Sequence, residues 1–207
     1  MQKYLFWIDR LSAWTGKTVA WLILLSTLLI TFDVTMRYIS KPLCTGAGTP
    51  LCDPVRNIWF TYNYSYDMSY YFYAIVFMIG GAYTMSRAQH VRGDMFYRFW
   101  PVRVQASIDI LLYVLTFVPV MIALISVGSQ WAAESLRIGE RSFTSAAAPV
   151  IYPLKFVIPV AGALMLLQGL AEITRAVQAW LTGKWPPRLH DVEETETRLA
   201  KQEGTSI

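Results

Sequence analysis

Histidine and cysteine are nearly absent from this chain. His90 and His190 are its only histidines, Cys44 and Cys52 its only cysteines. A haem-bearing membrane subunit needs axial ligands at membrane depth, and one histidine sits at a membrane surface while the other lies in the tail. A thiol relay to quinone needs two redox pairs, and a single candidate pair is present. Charge is scarce as well, at 15% of residues. No run of acidic residues offers a proton relay, and little in the apolar stretches could coordinate an ion. No basic cluster interleaved with aromatics lies away from membrane flanks, so nucleic acid is not an expected partner. There is no internal repeat of the kind that makes a complete inverted-repeat transporter. No catalytic constellation, metal site or cofactor site emerges, and the chain does not read as an enzyme.

What is abundant is apolar: 55% of the 207 residues are hydrophobic. Four stretches, about 19–39, 69–85, 108–127 and 154–173, each approach the ~20 residues a helix needs to cross the hydrocarbon core. Only helices or closed barrels satisfy their backbone there. The expected fold is therefore an all-α integral membrane protein: four transmembrane helices over 17–185, preceded by an amphipathic interfacial helix over 1–16 and followed by a flexible tail over 186–207. In the first segment Tyr4, Trp7, Ile8, Leu11 and Trp14 share a helical face, with Lys3 and Arg10 toward the other. Met95, Phe96, Phe99 and Trp100, among Arg92, Arg98 and Arg103, suggest a second such segment. An ordinary aromatic belt is the competing reading of both. Past Gly183, Trp185, Pro186 and Pro187 end the last helix, and 191–203 is charged and almost free of large apolar residues.

The first apolar stretch is too long, and lacks a small-residue site, for a cleaved signal peptide. With four spans, twelve Lys and Arg lie on the side of the termini and six on the other. The positive-inside rule then places both termini in the cytoplasm. Cys44 and Cys52 fall in the first external loop, where an oxidising compartment would let them pair; two unpaired thiols is the alternative. Asp33 with Arg37, and Glu172 with Arg175, are spaced to pair on one helix face near opposite interfaces. Asp109 begins the third span, where a carboxylate suits the helix dipole. Pro119 and Pro159 should kink spans three and four. The small residues Gly80, Gly81, Ala82 and Thr84, and Gly162 with Gly169, permit close helix contact within the bundle.

Several sequence pieces resemble a known family. Met36-Arg37-Tyr38 closes the first span, and 77–84 (Phe-Met-Ile-Gly-Gly-Ala-Tyr-Thr) leads into Arg87, His90, Val91, Arg92 and Asp94. Gly139-Glu140-Arg141-Ser142, Pro149, Tyr152-Pro153-Leu154-Lys155 and Ile158-Pro159 follow. Over roughly 11–185 the chain is similar to the small membrane subunit, DctQ-like, of tripartite ATP-independent periplasmic (TRAP) transporters, and to the subgroup labelled mannitol/chloroaromatic type. The first external loop, with its cysteines, is longer than in many members. The resemblance implies a bacterial inner-membrane, multi-pass scaffold beside a large permease subunit (M). That permease would run as an elevator on the sodium gradient, taking an organic acid from a periplasmic substrate-binding protein (P). Arg37, Tyr38, Arg87, His90, Arg92 and Asp94 become candidates for contact with the large subunit or with membrane lipids. Glu140, Arg141, Tyr152 and Lys155 become candidates for periplasmic docking, or are merely solvated. The alternative is a small membrane assembly or stability factor with no transport role.

Overall fold

The computed structural model describes residues 2–43, 52–87, 99–143 and 148–186. Helix dominates them: α1 (Gln2–Leu43), α2 (Cys52–Ser86), α3 (Val102–Leu112), a π-helical turn (Tyr113–Phe117), α4 (Val118–Ile138) and α5 (Tyr152–Thr182). The one extended pairing among the described residues is an isolated antiparallel bridge between Arg141 and Val150. α1 packs along α2, α4 along α5, and α5 also meets α2 and α3, so α5 is the central post. α1 begins, α2 stops, α3 begins and α5 stops at one end of the bundle, the terminal end. The α4–α5 loop closes the other, the loop end.

The core is small-residue rather than large-apolar. Ala82, Ala106, Ala132, Ala161, Ala171, Ala176 and Ala179 are buried, while Trp21, Leu28, Phe77, Leu115 and Val127 are exposed. A protein surrounded by water arranges these the other way; in hydrocarbon, helices associate through small residues that let backbones approach. The glycines confirm close approach. A Cβ on Gly16 would lie 2.5 Å from Tyr83 Cβ, one on Gly162 3.0 Å from Ile125, and one on Gly169 2.2 Å from the Phe117 ring. Gly16, Gly162 and Gly169 therefore pack the bundle's own interior.

Among the described residues, three helices are long and apolar enough to cross a membrane: Lys3–Met36, Val102–Ile138 and Tyr152–Thr182. The expected second span, 69–85, forms the last half of α2. It is not among those three, because Tyr70, Tyr71, Tyr73 and Tyr83 and two glycines dilute its apolar content. The expected interfacial segment 1–16 is not an element of its own: it forms the first turns of the 42-residue α1, whose helix runs on without a break. Its buried face is Leu5, Ile8, Asp9, Ser12 and Ala13, whereas Tyr4, Trp7 and Trp14 point outward. Before Pro119, where a kink is expected, the hydrogen-bond ladder changes to a π-helical turn. Proline offers no N–H, and the ladder widens so that Val118 N–H bonds Tyr113 O, five residues back. Gly183, left-handed at φ 71°, caps α5 where the composition changes. Residues 187–207, and so nearly all of the expected tail, lie outside the described residues.

Candidate functional site

At the terminal end, α1 and α5 meet face to face through polar side chains. On α1, Asp9 and Ser12 share a buried face with Leu5, Ile8 and Ala13; on α5, beside the buried Ala171 and Ala176, Gln168, Glu172 and Arg175 are spaced for one helical face. Arg175 Nη1 donates to Glu172 Oε1 at 2.6 Å and Nη2 to Asp9 Oδ2 at 2.5 Å. Gln168 Nε2 donates to the other Asp9 oxygen at 2.9 Å, and Ser12 Oγ to Gln168 Oε1 at 2.8 Å. The side chains of Asp9 and Glu172 are 3% exposed and that of Arg175 1%. Two carboxylates share one guanidinium in a dry site, and the amide and hydroxyl extend the network across to α1. Removing such charges from water is costly unless each is paired and hydrogen-bonded; each charge here is paired, although Arg175 Nε is buried without a hydrogen-bond partner. The Glu172–Arg175 pair expected from spacing is present; Asp9, Ser12 and Gln168 were missed. Their signal was polar residues at helical spacing, Asp9 and Ser12 beside Leu5 and Ile8 on α1 and Gln168 beside Ala171 on α5.

At the loop end the polar groups are closer together in sequence and more open. Gly139, left-handed at φ 62°, caps α4 and turns the chain so that Glu140 N–H bonds Ser135 O at 3.0 Å. Lys155, from the first turn of α5, reaches the Glu140 carboxylate and lies over the Trp131 ring, 4.1 Å from its centroid. Ser142 N–H bonds Pro149 O at 2.8 Å and Ile151 N–H bonds Glu140 O at 3.0 Å, pinning the loop across its neck. The Lys155 hydrogen bond, with a smaller contribution from Ser135, holds the Glu140 carboxyl below the usual carboxylate range. α2 joins this end through Asp67, which accepts from Ser142 Oγ at 3.4 Å, and through Tyr71 Oη, which donates to Val150 O at 3.3 Å.

Of the four expected docking residues, Arg141 is exposed, Glu140 and Tyr152 are half-buried, and Lys155 is buried. Lys155 is thus an internal brace rather than a solvated charge, since its ammonium is held by Glu140 and by the Trp131 face. Of the expected partner or lipid contacts, Arg87 stacks its guanidinium 5.3 Å from the Tyr83 ring centroid, and Tyr38 is exposed. His90, Arg92 and Asp94 lie outside the described residues. So does Cys44, and the side chains of Arg37 and Cys52 are likewise outside them, which leaves the Asp33–Arg37 and Cys44–Cys52 pairings there too.

Between the two ends, an open apolar cleft of about 460 Å³ lies against the π-turn, lined by Met85, Asp109, Tyr113, Phe117 and Met165 among others. Among the described residues no group of three or more His, Cys, Asp or Glu could hold a metal ion. The arrangement is one of braces: Asp9, Lys155, Glu172 and Arg175 are buried where helices join, while many large apolar side chains face out.

The family model described as tripartite ATP-independent periplasmic transporters, DctQ component, matches residues 55–179, more than half of the chain. That stretch runs from the start of α2 almost to the end of α5; α1, with Asp9 and Ser12, precedes it. No curated protein and no solved structure matches the chain.

Proposed function

The chain belongs to the DctQ family and is the small component of a TRAP transporter, and we propose that it serves there as a static scaffold for the large permease subunit. In this reading α2 supplies a fourth span beside the three candidates, both termini are cytoplasmic, and the protein resides in the bacterial inner membrane. The permease moves as an elevator on the sodium gradient, and a periplasmic substrate-binding protein delivers an organic acid to it. The sequence likeness to the mannitol/chloroaromatic subgroup favours a monocarboxylate such as a 2-oxo or hydroxy acid.

The observation that carries the scaffold reading is where the charge goes. Asp9, Glu172 and Arg175 are spent on one another in a dry network that ties α1 to α5. Groups committed to bracing helices do not bind and release a solute, and a rigid frame with an apolar exterior suits a permanent membrane partner. Arg141, Tyr152 and the exposed side of Glu140 would meet the binding protein at the loop end, and Arg87 with its neighbours the large subunit or lipid phosphates.

Affinity purification of the tagged chain from gently solubilised native membranes tests this. A large polytopic permease in near-equal amount, and sodium-dependent uptake lost from cells lacking this chain, are the expected results. Recovery of the chain alone in several mild detergents and in nanodiscs would point instead to an independent assembly factor.

A further inference from the structure

The outward face of α1 carries two parallel rows at seven-residue spacing. Trp7, Trp14, Trp21 and Leu28 form one, exposed at 63%, 65%, 71% and 67%. Lys3, Arg10 and Lys17 form the other, all exposed. Lipid imposes no such period on a helix. A strict heptad does have a physical meaning: it keeps one seam in register with a second helix crossing at about 20°, each large side chain seated among those of the neighbour.

Depth separates a helix from lipid as the occupant. Ser12 is level with Gln168 through their hydrogen bond, Gly16 faces Tyr83, and Gly81 of the same helix faces Met165. Residue 16 therefore already stands beside the interior of the α5 span, and Trp21 lies more than a turn deeper. Tryptophan otherwise favours the membrane surface, and Trp21 lies below it. The basic row runs about 21 Å along the helix from Lys3 to Lys17, at ~1.5 Å per residue. Even with the helix tilted by ~40° it projects over ~16 Å of depth. One headgroup layer is only ~5–7 Å thick, so phosphates meet the whole row only where Lys3 and Lys17 both bend back toward that layer. Carboxylates on a second helix, also spaced by sevens, meet it with every side chain level.

We infer that this seam of α1 is the docking surface for a transmembrane helix of the large permease component, one with an apolar ridge facing the tryptophans and acidic residues beside Arg10 and Lys17. The inference rests on the scaffold reading above and names its contact face, in a helix that lies ahead of the family match.

The test uses the full chain expressed with its transporter. A photo-crosslinking phenylalanine analogue is placed one position at a time along 4–28 of α1, and at the exposed Leu115 and Ile122 on the opposite side of the bundle. Crosslinks to the large permease component that peak at 7, 14, 21 and 28 and are weak at 115 and 122 are expected. The Arg10→Glu, Lys17→Glu double variant should lower the permease recovered with the chain on the order of tenfold, as for close charge pairs between partners. Arg10→Lys should retain it, and the melting temperature of the isolated chain should not move. Crosslinks without the seven-residue period, crosslinks confined to lipid, or undiminished recovery of the permease would overturn the inference. So would loss of binding to phosphatidylglycerol vesicles with the complex intact, which assigns the row to headgroups. Permease recovered but crosslinked elsewhere defeats this inference alone; a wild-type chain that recovers no permease defeats the scaffold reading as well.

Discussion

The two polar clusters at opposite ends of α5 solve one problem in different ways. At the terminal end, Asp9, Glu172 and Arg175 are shut away from solvent and join residues 166 positions apart. At the loop end, Lys155 and Glu140 are 15 positions apart, and the Glu140 side chain keeps 32% of its surface open. A dry network tolerates no missing member, because whatever remains is a charge with neither partner nor water. A half-open pair loses less, since water takes the partner's place. The dry cluster accordingly sets how α1 is held, and the open one tunes the loop.

The largest expected effect breaks the dry cluster. Arg175→Met leaves two carboxylates buried without their cation and should cost about 3–5 kcal/mol, read as a collapse of the melting temperature in detergent. The triple change Asp9→Asn, Glu172→Gln, Arg175→Met should recover much of that loss, because no charge is left stranded. If the single and triple variants melt alike, the carboxylates do not depend on Arg175.

Next comes the backbone contact that brings α1 close enough to reach α5. Gly16→Ala drives a Cβ to 2.5 Å from Tyr83 Cβ, an atom that moves only with the α2 backbone. Overpacking of this kind costs about 1–3 kcal/mol. Gly80→Ala, where a Cβ meets nothing within 4 Å, is the control and should be neutral to stabilising, by up to about 1 kcal/mol.

Lys155→Met at the loop end should cost less than Arg175→Met, on the order of 1 kcal/mol for the lost cation over Trp131. A Lys155 variant as damaging as the Arg175 one would erase the distinction between the clusters.

The smallest effect is the pH dependence of the open cluster. The folded state holds the Glu140 carboxyl below its ordinary value. Its contribution is therefore fully present above the unfolded carboxylate pKa and is lost as pH falls through the lowered folded value. Protease cleavage of the 139–151 loop should rise only at acid pH, and Glu140→Gln should make cleavage pH-independent.

How much of this was legible in the sequence follows from the same two clusters. Glu172 and Arg175 are three apart on one helix, so spacing alone pairs them. Asp9 gives no local sign of a partner so far along the chain; it sits on one face with Leu5, Ile8, Ser12 and Ala13, and nothing in that segment names the helix it meets. Lys155 and Glu140 were both visible as charges flanking a loop, but the Trp131 ring that helps bury Lys155 comes from the preceding helix. Helix ends were legible where chemistry marks them, as at Gly183 after α5. Apolar content marked only part of the rest: α4 runs on to Ile138, past the stretch at 108–127, because a helix continues beyond the hydrocarbon it crosses. Segment 1–16 was legible as a helix with aromatics on one side, but not its unbroken continuation into the 42-residue α1 or the polar contacts of its other side with α5.

The account's central claim is a frame that stays still while the permease moves. Spin labels at Ile23→Cys on α1 and Ser129→Cys on α4, with Cys44 and Cys52 replaced by serine, report the distance between the two helix pairs in the assembled transporter. A single narrow distance distribution, unchanged on adding sodium and the substrate-loaded binding protein, is the predicted result. A second distance, or a shift of several ångströms when the cycle is driven, would contradict it.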